Sequence, residues 1–293
     1  MKKDPRHADI LRSSRKIKQH RRLSHWFWSG FGVLVLVLVL VVLANLAIFK
    51  ISEIKITGAR VANASDLIQL IDRDLTGRRF FIFPRRNAWF YPEAEIRERI
   101  DKKFLNIEAV AFNLANIFNH PLLSIEIRER QPTVRLCRDV TTSECYLTDR
   151  QGLIFAPAPE FSRHIFPTII QPLIANPIGA RPLSLNEFSK LLDARRDLEK
   201  TFPHDTLSGF VIYQIEILAA GDYSFTAENP LNPEERFEIL VNADKDLGFA
   251  VTNAQIALSS PALVDGLEKN GRSLEYLDLR FAPKVFYKFR PVI

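Results

Sequence analysis

Six histidines, two cysteines and a few close acidic pairs are the side chains of this 293-residue chain that could support catalysis or hold a metal. His7, His20 and His25 precede a long apolar run, and His120, His164 and His204 are scattered through the rest. Two of these stand beside Pro121 and Pro203, the habit of loop residues, and none has the short helical spacing of a zinc-binding pair. Cys137 and Cys145 lack the two further ligands of a structural zinc site. They flank the polar stretch RDVTTSE, suited to a hairpin loop, and in an oxidising compartment predict a disulfide that pins it. Glu93/Glu95 and Glu234/Glu235 read as helix-start charges rather than catalytic carboxylates. Gly152, Gly209, Gly221 and Gly271 are isolated turn candidates, with no phosphate-cradling loop and no nucleophile elbow. Asp149, just ahead of Gly152, fits a hairpin turn. The expectation is no enzyme, no cofactor and no metal.

The element that must position everything else is Gly30 to Phe49, GFGVLVLVLVLVVLANLAIF, which has no ionisable side chain. Twenty helical residues span about 30 Å, the hydrocarbon thickness of a bilayer, and a helix satisfies its own backbone there. Nine basic side chains against Asp4 and Asp9 give the first 28 residues +7. With +6 for the whole chain, the remainder carries −1. A basic tail beside a span favours the cytoplasmic side and sends the bulk of the chain across the membrane. The tail reads as a topogenic segment that also attracts anionic lipid. His25, Trp26, Phe27 and Trp28 sit where an interfacial aromatic belt would lie. Val42 and Ala44 imitate a signal-peptide cleavage site, but the apolar run continues past them, which favours an anchor.

About 240 residues follow, enough for one large or two modest domains. Ile51, Ile54 and Ile56 predict a strand that ends in a turn at Thr57-Gly58. Ser65-Asp66 opens a helix with Leu67, Ile68, Leu70 and Ile71 on its apolar stripe, closed by Gly77. Phe80, Phe81, Ile82 and Phe83 form a connector suited to core or membrane-proximal packing. Pro92 starts a second helix, striped by Ile96, Ile100 and Phe104. Strands follow at IEAVAF and LLSIEIRER, where Leu123, Ile125 and Ile127 alternate with Ser124, Glu126 and Arg128. The order strand, helix, helix, strand, strand describes a compact α+β unit that ends near Gln131-Pro132.

Beyond it, short apolar runs joined by tight turns predict antiparallel sheet at Val134–Leu136, Tyr146-Leu147 and Leu153–Phe155. A helix is expected from Leu185 to about Lys200, and strands at Gly209–Leu218, Phe237–Val241 and Leu247–Val251. Thr252 to Glu268 has helical character interrupted at Ser260-Pro261. The closing strands are Leu274–Phe281 and Lys284–Phe289, with Pro283 confining the latter to an edge or a bulge. An edge strand offers main-chain groups to another chain, so this one is the expected protein contact. Its basic and aromatic residues are not read as a nucleic-acid patch, because the charge of this region is close to neutral.

In layout and in several local motifs the chain resembles the bacterial cell-division family FtsQ or DivIB. ISEIKITG through LLSIEIRERQP resembles the family's membrane-proximal POTRA domain, residues 50–130. Tyr146 to Phe155, YLTDRQGLIF, and Tyr276 to Phe281, YLDLRF, resemble segments of its β domain, here 131–293. With tail 1–28 and span 29–49, the resemblance implies a single-pass transmembrane helix plus extracytoplasmic α+β: a POTRA domain, then a mostly antiparallel β domain with helices. It also implies non-enzymatic work at the division septum, in the bacterial cytoplasmic membrane with the N-terminus inside. The implied partners are FtsB-like and FtsL-like bitopic division proteins and other divisome proteins, besides the lipid bilayer. The family pairs its terminal β region with FtsB. Carried over by motif, that points to Phe281, directly after Asp278-Leu279-Arg280, and to the strand that follows. The edge argument adds Phe286 and Tyr287, and Arg280 is the fourth candidate contact residue. AVAFNLANIFNHP departs from the family, being longer and more apolar than the turn expected there. The alternatives are an envelope assembly or secretion scaffold with a POTRA-like domain, and a membrane-anchored sensor or ligand-binding protein. A septal ring of labelled protein separates the first reading from both.

Overall fold

A computed structural model describes residues 26–79, 82–141, 144–160, 164–203, 205–218, 221–243, 246–268, 273–281 and 283–291. The expected basic tail, His7, His20, His25, His204, Phe80, Phe81 and Gly271 lie outside them. The described chain separates into two compact units, one up to Glu129 and one from Arg130 onward.

The first unit opens with helix α1 (Trp26–Asn45), long and apolar enough to cross a bilayer and exposed along almost its whole length. It stops four residues short of the expected Phe49. Leu46 is extended, and Asn45 turns its side-chain amide onto the carbonyls of Val41 and Ile82. After a 3₁₀ turn the chain enters β1 (Glu53–Thr57), then α2 (Ala64–Asp74), a small hairpin of β2 (Arg78–Arg79) and β3 (Phe83–Pro84), α3 (Glu93–Lys103), β4 (Ile107–Ala115) and β5 (Leu122–Glu129). The strands lie in the order β1-β5-β4, with β5 parallel to β1 and antiparallel to β4. Leu123, Ile125 and Ile127 point inward at the expected period of two and meet Leu67 and Ile71 of α2 and Ile96 and Ile100 of α3. α2 ends at Asp74 rather than running to Gly77, which sits in the next turn with φ of 89°. Glu129 closes the unit: one carboxylate oxygen accepts the amides of Arg60, Val61 and Ala62 at 2.8–2.9 Å. Burial pushes this carboxyl up, but the three N–H donors outweigh it and hold the group below the usual glutamate range.

The second unit is a nine-stranded mixed sheet with helices. Its strands are β6 (Val134–Cys137), β7 (Cys145–Thr148), β8 (Ile154–Pro157), β9 (Thr168–Ile170), β10 (Val211–Ile217), β11 (Tyr223–Asn229), β12 (Asn232–Val241), β13 (Leu274–Asp278) and β14 (Phe286–Phe289). Their order is β14-β13-β12-β11-β10-β9-β6-β7-β8. Neighbours joined by short links pair antiparallel. β9–β10 and β12–β13 pair parallel, because helices carry the chain back between them: α4 (Leu185–Glu199) for the first, α5 (Leu247–Leu258) and α6 (Pro261–Glu268) for the second. Phe188, Leu191, Ala194 and Leu198 of α4 share one core with Ala250, Ala254 and Leu258 of α5 and with Phe225, Phe237 and Ile239. α4 begins with a full capping box between Ser184 and Glu187.

Three expectations fail here. Glu234 and Glu235 start no helix: they lie in β12, which pairs antiparallel with β11, and the Glu235 carboxylate accepts the side-chain amides of Asn229 and Asn232 at that hairpin. Leu247–Val251 is the first half of α5, not a strand: Asp246 caps it by accepting from Gly248, and Ala250, Ala254 and Leu258 fall on one buried helical face. β11 carried no expected strand, because as an interior strand it buries Ser224, Thr226 and Glu228 beside Phe225 and Ala227 and so lacks alternation. The break at Ser260-Pro261 stands where expected, bending α5 from α6 by 60°.

Candidate functional site

The two ends of the large sheet are unlike. At one end, β8 is covered by a loop: the Ile154 amide donates to the Ala180 carbonyl at 3.0 Å, and the Ile154 carbonyl accepts the Gly179 amide at 2.7 Å. At the other, β14 is terminal, with β13 as its one neighbouring strand. Its side chains are sorted by what lies beneath. Phe289 packs onto the core over Gly266, where a Cβ would come 2.3 Å from the ring. Phe286 and Tyr287 stay 49% and 38% exposed. Phe281, in the turn before β14, is 56% exposed, and its ring meets Phe286 edge-on with centroids 5.9 Å apart. The result is an aromatic sheet edge, with Phe281 and Phe286 together on one face and Tyr287 beside Phe289 on the other, the form that strand addition uses: main-chain groups for affinity, side chains for specificity.

Arg280 does not belong to that edge in the way its neighbours do. Its guanidinium grips both carboxylate oxygens of Asp278, at 2.9 and 2.7 Å, and reaches Asp222 at 3.4 Å. It also lies over the Phe281 ring at 5.4 Å. Its work is to position: it locks the end of β13 and aims Phe281. Lys288 pairs with Glu275 across the strands, and Arg290 donates to the carbonyls of Glu234 and Arg236, tying down the strand's far end.

Burial pushes the Asp278 carboxyl up, but the Arg280 side-chain and backbone hydrogen bonds and the guanidinium charge prevail, so its pKa is lowered. A folded-state pKa below the unfolded one contributes stability above the ordinary aspartate value, and that contribution is lost as pH falls through the folded value. The second unit should therefore lose stability below about pH 4, where unfolded aspartates protonate, and Asp278→Asn should flatten part of that decline. Denaturant titrations across the acid range check this; an unchanged slope in the variant would remove Asp278 from the account.

The remaining candidates are placed as follows. Cys137 and Cys145 face each other across β6 and β7 with Cα atoms 4.2 Å apart and are joined as a disulfide. His120 lies in the β4–β5 turn with φ of 53°, and His164 stacks on Tyr213 near Glu228. Among the described residues no three His, Cys, Asp or Glu side chains converge as a metal site. Sequence reasoning missed the pair of part-buried Arg130 with buried Asp149, which joins the start of the second unit to the Asp149–Gly152 turn. Asp149 also accepts the amides of Gln151 and Leu153. The signal was present as an arginine and an aspartate inside two of the motifs noted above, but nothing in the sequence links them.

No protein-family model matches the chain, and comparison with curated proteins finds no match.

Proposed function

We propose that this protein is a non-enzymatic scaffold of the bacterial division machinery, held in the cytoplasmic membrane by α1 with both folded units outside the cytosol. In this reading the first unit is a POTRA domain. The second recruits FtsB-like and FtsL-like bitopic proteins at the septum and so helps to control septal peptidoglycan synthesis. The observation that carries the proposal is the terminal strand β14, with exposed Phe281, Phe286 and Tyr287, following the YLDLRF motif. The loop cover on β8 adds to it, since only β14 of the two end strands presents such an edge. The order β1, α2, α3, β4, β5 of the first unit's three-stranded sheet and helices, with the small β2–β3 hairpin between the helices, supports the POTRA reading.

Phe286→Asp should reduce capture of a short single-span coiled-coil partner by about tenfold or more, as expected for an aromatic anchor at an interface centre. Because Phe286 is half exposed, the variant should keep its fold. Affinity measured by co-purification from crosslinked membranes, with circular dichroism as the folding control, tests both parts. Full-strength capture by a folded variant would remove β14 from the interface, and uniform rather than septal labelling of the fused protein would favour the secretion-scaffold reading.

A further inference from the structure

Three segments far apart in sequence converge where α1 ends. The parallel pairing of β1 with β5 sets Glu53 opposite Leu122, so the β4–β5 turn lies at the same end of the small sheet as the exit from α1. The Ser52 amide donates to the Pro121 carbonyl at 2.9 Å. Residues 82–90 are tied to the same place. Asn87, fully buried, donates its side-chain amide to the Ala44 carbonyl at 2.7 Å, the Ala88 amide donates to Phe49, and the Ile51 amide donates to Arg86.

What these segments present is aromatic. The rings of Phe49 and Trp89 are 4.6 Å apart, and Phe118, at the tip of the β4–β5 turn, meets them at 6.4 and 6.2 Å. Phe83 and Phe90 form a second pair at 4.7 Å. Phe118 is 72% exposed and Trp89 48%, with Ile48 and Ile82 also open. Lys50 stands exposed in the first of these segments, and Arg78 and Arg79 in β2, which pairs with β3. A contiguous exposed aromatic face of this kind marks a contact surface. Tryptophan and phenylalanine beside arginine and lysine, directly after a bilayer-length helix, have the composition of a membrane interface.

We propose that this face lies on the lipid: the rings of Trp89 and Phe118 enter the boundary between headgroups and acyl chains, the cations meet anionic headgroups, and the first unit is fixed against the bilayer instead of merely tethered by α1. The apolar lengthening of AVAFNLANIFNHP is then the device that carries Phe118 to the surface. The inference rests on α1 crossing the membrane, and the three tryptophans separate the two claims. The full chain is reconstituted in vesicles of phosphatidylethanolamine and phosphatidylglycerol that contain lipid brominated at a shallow or a deep acyl position. With Trp26→Phe and Trp28→Phe, Trp89 is the reporter; with Trp89→Phe, the start of α1 is. Shallow bromine should remove about half of the Trp89 emission and deep bromine less, as for a ring ~5–10 Å into the interface. Adding Phe118→Ser should weaken that quenching about twofold, as apolar burial falls. Quenching of Trp26 and Trp28 without Trp89 would overturn the proposal and leave the span intact. Quenching of neither reporter would overturn both.

Discussion

Gly58→Ala should cost the first unit about 3–5 kcal/mol, a large share of the stability of a small domain. Gly58 follows β1 with φ of 85°, and a Cβ there would stand 2.1 Å from the Ile127 carbonyl oxygen. Two penalties combine: about 1–2 kcal/mol for an alanine in the left-handed region, and a clash with backbone that no rotamer change relieves. Relief requires β1 to move away from β5, and that pairing carries the chain from α1 into the sheet. Gly77 is the control, because its φ of 89° is just as left-handed yet nothing lies within 4 Å of a Cβ. Gly77→Ala should cost only that backbone penalty of about 1–2 kcal/mol. Hydrogen exchange of the β1 and β5 amides in detergent-solubilised protein reads both. Equal effects at the two glycines would mean that the Ile127 contact is not what requires Gly58.

The elements legible in the sequence were those in which one face is buried and one is wet. β5, α3 and α4 announce themselves because Ile125, Ile96 and Phe188 recur at the period of their own structure. β11 and the first half of α5 were illegible for a shared reason: each is read against neighbours rather than against water. β11 lies between β10 and β12 and hides polar and apolar residues alike. α5 packs with small alanines and leaves Phe249 and Ile256 exposed, so its bulky residues point the wrong way for any periodic reading. The aromatic edge was half legible. Pro283 and the alternation of the closing residues predict an edge, but only the topology sets β14 at one end of nine strands and shows Phe289 turned inward over Gly266. Arg280 shows the converse limit. An arginine beside a candidate contact invites a binding role, and its grip on Asp278 and Asp222 makes it a positioning residue instead.

The second large effect is expected at Asp149. Its carboxylate does two jobs at once: one oxygen accepts the Gln151 and Leu153 amides at 2.9 Å, and the other takes the Arg130 guanidinium. The Asp149 side chain is buried and that of Arg130 largely so, 6% and 17% exposed, so removing one partner weakens the compensation of a poorly hydrated charge. Asp149→Ala should cost about 3–5 kcal/mol for that reason, with the lost turn bonds included. Asp149→Asn separates the two jobs. Its side-chain carbonyl can still accept from Gln151 and Leu153, but the charge opposite Arg130 is gone, so a smaller loss is expected. If the ion pair dominates, Arg130→Met should rescue part of the Asp149→Asn loss, because the cation that faced the lost carboxylate disappears with it. Denaturation midpoints of the three variants and the double mutant decide the matter. An Asp149→Asn protein as stable as the parent would assign the whole effect to the turn, and the Arg130 pairing would then be a consequence of the fold with no share in holding it.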